Sequence, residues 1–484
     1  MRWLVRLLVG FLRLVTRVFF STVEVSGTDN VPAIGAVIFV GNHPNSLLDP
    51  ILVLTTCGRP VCFAAKEVLF RGPLRPFLVL LGCVPVKRRQ DQLAGTAEDS
   101  PAHGAPARVD NDEAFDALLA LLAQGGAVGI FPEGISHTRP GLAPLKTGAA
   151  RIALLARAQG TPVQIVPVGL HYRRRDRMRS RVLVQFGAPI DVDAPVDASV
   201  ASPLPSSAVT SEEARRRAAR ELTATLDQAL RALTINTSDF DTLRVLEGVR
   251  RLYRPDHVAL SLTAQTALLQ RFIAYWEQLQ DDPEVAALYR DIEVYQHSLR
   301  LLGLGDADLR AGGTSRLVWA ERLVRHGFFL LVLLPLAVPG IVLHLPVLVA
   351  AVFAGAALTD RGDVRATIKM TVLTAATALV HLLVGVTVAL AMGPGAAALV
   401  LLGLFLSAYA AIRVLERQAD VRRGLSTFVA LWHLDRALER LAAQRERLRN
   451  RLLAVVDRHA GDIARIIPPE DHGPAPWLTD DDAD

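Results

Sequence analysis

Apolar and polar positions divide the chain into three regimes. Up to about residue 190, short apolar runs rich in Val and Ile alternate with segments of helical periodicity. Val23–Val25, Ala36–Val40, Cys62–Ala65, Val84–Val86, Ala127–Phe131, Ile165–Leu170 and Val182–Phe186 read as strands, most of them buried on both faces. Between them Pro50–Thr56, Pro73–Leu81, Asp112–Gln124 and Ala149–Gln159 carry helical spacing, as with Phe115, Leu118, Leu119 and Leu122. This alternation predicts an α/β unit, a mixed sheet flanked by helices, over 23–194.

The rest of the chain reads differently. Gln90–Asn111 is a polar exposed loop, and 195–212 is a Pro/Ser/Ala linker. Residues 213–325 read as a helical subdomain of mixed charge. Then come three nearly uncharged apolar runs at 327–358, 370–391 and 396–412. A span needs ~20 apolar residues. The last two runs form a transmembrane hairpin, and the first, long for one span and broken by Pro335, Pro339 and Pro346, reads as a thin or re-entrant hairpin. Two hairpins over 326–413 place the clusters Arg322/Arg325, Arg361/Arg365/Lys369 and Arg413/Arg417 on one side, as the positive-inside bias prefers. A Leu/Arg-rich helix over 414–466, with Leu434, Leu438, Leu441, Leu448 and Leu452, offers a surface for packing or self-association. The acidic tail 467–484 reads as disordered. At the other end, residues 1–22 carry Arg2, Arg6, Arg13 and Arg17 on one stripe of an otherwise apolar helix. That pattern fits a helix in the membrane interface with its basic face to the headgroups, the alternative being a helix packed on the protein itself.

Composition sharpens this picture. In 484 residues, 51% are hydrophobic and the net charge is +5. With a mean hydropathy of +0.30 and a pI near 9.3, the chain suits an anionic membrane surface or phosphorylated solutes better than nucleic acid. Cys57, Cys62 and Cys83 have no metal-ligand spacing and read as thiols of a reducing compartment. No His/Cys/carboxylate grouping calls for a metal.

Candidate chemistry collects where strands end. Gly41 and Pro44 stop the second strand and deliver Asn42 and His43 to its C-terminal end, where α/β sheets keep their ligand crevices. Asp49 follows His43 by six positions. A His oriented by a carboxylate can take a proton from a hydroxyl. Lys87, Arg88 and Arg89 follow a short apolar strand, where a phosphate could dock. Glu133 stands on a tight turn before Gly134, and Arg139 and Lys146 follow it.

Four blocks in order, Asn42-His43 with Asp49, Gly82 to Arg88, Phe131-Pro132-Glu133-Gly134, and Val166-Pro167-Val168, resemble the glycerolipid (phospholipid/glycerol) acyltransferase family over about 25–190. Five residues separate His43 from Asp49 where the family pattern has four. The third block continues Ile-Ser-His-Thr-Arg-Pro, without the usual Arg two positions after Gly134, for which Arg139 and His137 are the candidate replacements. These variants, with Leu145-Lys146-Thr147-Gly148, resemble the yeast-type glycerol-3-phosphate/dihydroxyacetone-phosphate branch. So does Asp360–Lys369, whose role the sequence leaves open.

The resemblance implies acyl transfer from acyl-CoA or acyl-carrier protein, as co-substrate rather than cofactor, to a hydroxyl of glycerol-3-phosphate or dihydroxyacetone phosphate. A lysophosphatidate or other lysophospholipid is the alternative acceptor. His43 and Asp49 would be catalytic, and Asn42, Lys87, Arg88, Glu133, Gly134, Arg139 and Lys146 would hold substrate. The expected setting is the inner membrane with the catalytic domain facing the cytoplasm. A non-catalytic lipid-binding protein is a reading of another class, against which His43, Asp49 and Glu133 stand. A transporter is poorly supported, since the apolar runs carry only His344 and His381 as ionisable groups.

Overall fold

The computed structural model describes residues 2–72, 74–87, 111–192, 208–254, 260–309, 316–433 and 435–459. The chain forms two compact units, Met1–Ile235 with Arg361–Thr367, and Asn236–Asp360 with Ile368–Asp484.

The first unit opens with helix α1 (Arg2–Phe19) and continues through β1 (Thr22–Ser26), β2 (Ala36–Gly41), α2 (Leu48–Thr56), β3 (Cys62–Lys66), α3 (Arg75–Leu80) and β4 (Val84–Val86). Then follow α4 (Asp112–Ala123), β5 (Ala127–Ile130), α5 (Gly148–Ala158), β6 (Val163–Tyr172), β7 (Arg181–Phe186), β8 (Ile190–Asp191) and α6 (Ala208–Leu233). The strands pair in the order β1-β7-β6-β2-β5-β3-β4, with β8 also on β6. β6 runs parallel to β2, as do β5, β3 and β4 in turn, whereas β7 and β8 are antiparallel to β6. The predicted mixed sheet is therefore observed. Its central strand β2 is buried at every position, which explains its unbroken apolar run: a strand covered on both faces needs no alternation. The C-terminal ends of β2, β5, β6, β3 and β4 share one edge.

One face of the sheet packs Ile38, Val40, Val128 and Ile165 against α4, α5 and α6. The boundary at 212/213 needs correction here. Leu222, Leu226 and Leu230 of α6, spaced at i, i+4 and i+8, are buried in that core, so α6 belongs to the first unit and not to the helical subdomain. Most of the expected linker and the loop Gln90–Asn111 lie outside the described residues, as does the tail 467–484.

In α1 the apolar side chains of Trp3, Leu7, Phe11 and Leu14 are exposed. Arg13 does not simply face outward as the headgroup reading requires. Its Nε and Nη2 donate to the carbonyl of Thr55 near the end of α2, at 3.1 and 3.0 Å, a contact that satisfies an orphan helix-end acceptor.

The second unit contains α7 (Phe240–Tyr253), α8 (Leu262–Leu279), α9 (Pro283–Leu301), α10 (Arg316–Ala357), α11 (Gly362–Met392), α12 (Pro394–His433) and α13 (Asp435–His459). Three helical stretches, Gly327–Ala357, Gly362–Met392 and Pro394–Gln418, are long and apolar enough to cross a membrane. The first apolar run is thus one continuous helix rather than a hairpin. Its 31 residues reach about 46 Å. Three prolines fail to break it, and next to them Ser407 of α12 enters its backbone ladder. The Ser407 hydroxyl accepts from Gly340 N and donates to Leu336 O, both at 2.6 Å, which is how apolar helices tolerate helix breakers. With one helix in place of a hairpin, the charge argument for two hairpins no longer applies.

Leu438, Leu441, Leu448 and Leu452 of α13 are buried within this unit. Arg445 Nε donates to Asp306 Oδ1 at 3.1 Å. Of the two uses expected for this stripe, packing inside the chain is the one observed.

Candidate active site

Gly41 ends β2 where a Cβ would lie 3.2 Å from Phe131 Cε1 and 3.4 Å from Val168 O. The chain can therefore leave the sheet between β5 and β6. Asn42 extends the strand pairing with its side chain: Nδ2 donates to Leu170 O at 3.1 Å and Oδ1 accepts from Leu170 N at 2.8 Å. Its amide is occupied by β6, which anchors the chain just before His43.

His43 and Asp49 meet as the sequence suggests. His43 Nδ1 lies 2.8 Å from Asp49 Oδ2. The turn between them places Ser46 at φ 48°, a left-handed conformation uncommon for a residue with a Cβ. Asp49 is fully buried in the first turn of α2, where the helix dipole favours a negative charge. Its Oδ2 also accepts from Asn45 N at 2.7 Å, and its Oδ1 accepts from the Tyr172 hydroxyl at 2.6 Å. A carboxylate so surrounded accepts at both oxygens, which fixes the His43 proton on Nδ1 and leaves the lone pair on Nε2. Among the described residues Nε2 has no hydrogen-bond partner. The ring is stacked on Phe131 at 4.3 Å, and Phe131 on Phe63 at 5.9 Å.

Glu133 follows β5 and is buried. Its Oε1 accepts from His43 N at 2.7 Å; its Oε2 accepts from Ala143 N at 2.8 Å and lies 2.5 Å from His137 Nε2. His137 Nδ1 accepts from Arg139 N at 3.2 Å, so its proton sits on Nε2 and points to Glu133. His137 N donates in turn to His43 O at 3.2 Å. Glu133 is thus the knot that ties its own loop to the His43 loop, and its oxygens are spent on protein donors. His137 is used in the same way, whereas Arg139 keeps its charge exposed.

Gly134 has φ 69°, and a Cβ there would lie 2.5 Å from Lys146 Nζ. The turn needs glycine both for its backbone and for the lysine chain laid across it. Lys146 and Arg139 are exposed and have no ion-pair partner among the described residues. Lys87 follows β4, three strands from β2 along the same edge, about 14 Å at ordinary strand spacing. It is exposed, and its backbone is held by Asn111. Arg88 lies outside the described residues.

Three participants escaped the sequence reading. Tyr172 ends β6 beside the dyad. Burial, then the Asp49 charge and the bond to it, push the phenol well above its ordinary range, so it stays a donor. Arg175 follows it: its carbonyl accepts from Asn45 Nδ2 at 3.0 Å, and its Nη2 lies 3.4 Å from Arg139 O. Burial pulls the Arg175 guanidinium below its ordinary value, while Asp49, Tyr172, Glu133 and Asp363 push it back up. Asp363 is the third, and it lies 2.5 Å from Ser136 Oγ. The available signal was the polar cluster His171 to Arg175 at the end of an apolar strand adjacent to β2. Asp363 lies in the Asp360–Lys369 segment singled out by its resemblance, but at 227 residues from Ser136 no spacing linked it to the site.

Two family models match the chain: the acyltransferase domain over residues 22–171, and the glycerol-3-phosphate acyltransferase 2 C-terminal domain over 245–463. Glycerol-3-phosphate O-acyltransferase 2 of Saccharomyces cerevisiae is 26% identical over 72% of this chain and 58% of its own length. Glycerol-3-phosphate O-acyltransferase 1 of the same yeast is 32% identical over 51% and 32%, and an uncharacterized acyltransferase of Schizosaccharomyces pombe 31% identical over 50% and 35%. The chain therefore spans between about a third and three fifths of the length of these relatives.

Proposed function

We infer that the chain is a glycerolipid acyltransferase, an O-acyltransferase that moves a fatty acyl group from a thioester to a hydroxyl of glycerol-3-phosphate or dihydroxyacetone phosphate. The observation that carries this is the orientation of His43. Its Nδ1 faces Asp49 at 2.8 Å, and among the described residues its Nε2 has no hydrogen-bond partner at the ligand edge of the sheet.

In the proposed reaction His43 Nε2 removes the proton of the acceptor hydroxyl as that oxygen attacks the thioester carbonyl. Asp49 stabilises the imidazolium. The tetrahedral intermediate expels the thiolate, the C–S bond breaks, and the proton on Nε2 passes to sulfur, so the base is regenerated. Base catalysis of this kind contributes ~10²–10⁴-fold. No step requires an acyl-enzyme or a metal. Acyl-CoA and acyl-carrier protein both fit as donors. Exposed cations near the site, Lys146, Arg139 and, further along the edge, Lys87, suit a phosphorylated acceptor and a phosphate-bearing donor.

Membrane lipid is the proposed setting. The exposed apolar stripe of α1 and the three apolar helices favour it. Arg361 and Arg365 belong to a segment that folds with the catalytic residues, and their charge, with that of Arg413 and Arg417, favours a cytoplasmic face of an inner membrane for this unit.

The test offers labelled acyl-CoA and acyl-carrier protein to the protein in nanodiscs with glycerol-3-phosphate, dihydroxyacetone phosphate and lysophosphatidate in parallel. Transfer to one of the first two, abolished in His43→Ala, is the expected result. Transfer to lysophosphatidate alone reassigns the acceptor. Lipid binding without transfer to any acceptor overturns the enzyme.

A further inference from the structure

The segment Arg361–Thr367 lies within the range matched by the C-terminal family model, yet it folds with the acyltransferase unit. Asp363 is buried. Its Oδ2 takes the Ser136 hydroxyl at 2.5 Å and Arg361 Nη2 at 2.7 Å, and its Oδ1 takes Arg361 Nε at 3.3 Å. Arg361 Nη2 also donates to Ser136 Oγ at 3.2 Å. Gly362 sits so close that a Cβ there would meet Thr138 Cγ2 at 3.1 Å. This three-way lock falls on the loop Glu133–Arg139, which carries the Glu133 knot and ends in Arg139.

Arg175 reaches the same loop from the other side. Its guanidinium makes one long contact, to Arg139 O at 3.4 Å, and among the described residues no carboxylate stands within ion-pair distance of it. With one long protein contact, this half-buried guanidinium keeps most of its five donors available to a ligand. Asp363 is already engaged by Arg361 and Ser136. An anion with several oxygens suits the remaining donors, since guanidinium groups pair with phosphate through parallel hydrogen bonds.

We propose that residues 361–367 are part of the active site: Asp363, held by Arg361, is a positioning residue that fixes the Ser136–Arg139 loop, and Arg175, reaching that loop, binds the phosphate of the acceptor. The C-terminal region is then more than a membrane attachment, since it completes the acceptor pocket. This rests on the acyl-transfer reading for its substrate, but the anion site itself can be tested without turnover.

The experiment uses the full chain in nanodiscs. Steady-state kinetics are measured for the wild type, Arg175→Gln, Arg175→Lys, Asp363→Asn and the pair Ser136→Ala with Asp363→Asn, using glycerol-3-phosphate and, separately, glycerol as acceptor. Loss of a charged hydrogen-bonding partner corresponds to about 10–100-fold. Arg175→Gln is expected to raise KM for glycerol-3-phosphate by that factor, to leave KM for the acyl donor within about twofold, and to spare transfer to glycerol; Arg175→Lys recovers part of the loss. Asp363→Asn raises the same KM, and adding Ser136→Ala gives less than the product of the single effects. Unchanged KM for glycerol-3-phosphate in both single variants, or equal loss with glycerol, overturns the proposal. If the wild type transfers no acyl group, the acyl-transfer reading fails on its own. Binding of inorganic phosphate then decides the anion site: weaker binding in Arg175→Gln supports it, and equal binding refutes it. Variants that melt well below the wild type are judged by Arg175→Lys and by phosphate binding.

Discussion

Tyr172 donates its hydroxyl to Asp49 Oδ1 at 2.6 Å, the oxygen that His43 leaves untouched. The Asp49 carboxylate is thereby held from two sides, by the His43 ring and by a phenol at the end of β6. Because burial and the Asp49 charge keep that phenol protonated, Tyr172 acts as a donor at all working pH values. Tyr172→Phe leaves a buried carboxylate oxygen without a partner, which costs about 1–3 kcal/mol. We expect kcat to fall roughly tenfold, by that cost, with KM for both substrates little changed, as measured by steady-state acyl transfer.

Glu133 accepts from His43 N, Ala143 N and His137 Nε2. Glu133→Gln turns one acceptor into a donor facing donors. Activity should drop by about two orders of magnitude and the melting temperature should fall with it, since each buried mismatch costs about 1–3 kcal/mol. If Glu133 instead bound only the acceptor, the substitution would raise acceptor KM and leave thermal stability intact. Calorimetry and kinetics on one preparation separate the two.

His171 gives a pH dependence with a definite sign. Burial pushes it down to about 4 from an ordinary 6.5; the Leu233 carbonyl, 2.6 Å from Nε2, pulls it up, and Arg175 adds to the depression. The unfolded chain takes up this proton below about pH 6.5, whereas the folded chain resists it until about pH 4. Stability from this group is therefore full above pH 6.5 and is lost as pH falls through that window, by up to about 3 kcal/mol. Denaturation followed between pH 7 and pH 4 should show a shallower acid loss in His171→Asn.

Gly340 and Ser407 bring α10 and α12 into backbone contact: a Cβ on Gly340 would lie 2.4 Å from Ser407 O. Gly340→Val should part these helices and lower the melting temperature in detergent by several degrees. Ser407→Ala, which frees Gly340 N and Leu336 O, should cost about 1 kcal/mol.

What the sequence disclosed follows from where the determining forces are local. Seven of the eight strands were legible because their apolar runs are continuous, β2 and β7 also because Gly41 and Gly187 close them, while the two-residue β8 was missed; the His43–Asp49 pair was legible because a single turn of five residues joins them. Glu133 was found, but its hydrogen bonds were not, since one of its donors, His43 N, comes from a loop 90 residues away. Tyr172, Arg175 and Asp363 act across 123 to 227 residues of chain, and no spacing records such contacts. The single helix at 327–357 was misread because proline breaks a helix by leaving backbone groups unpaired, and Ser407, far along the chain, relieves that defect. Helix α6 was assigned to the wrong unit because its charged outer face masks the Leu222, Leu226 and Leu230 stripe.

One measurement bears most directly on the whole account: a single turnover of labelled acyl-CoA with glycerol-3-phosphate, comparing the wild type with His43→Ala and following label in lipid and on protein. The account predicts label passing straight to the acceptor, at least ~10²-fold slower in the variant, with none held covalently on the chain. Equal rates in the two proteins, or an acyl-protein that forms and decays before product, would contradict it.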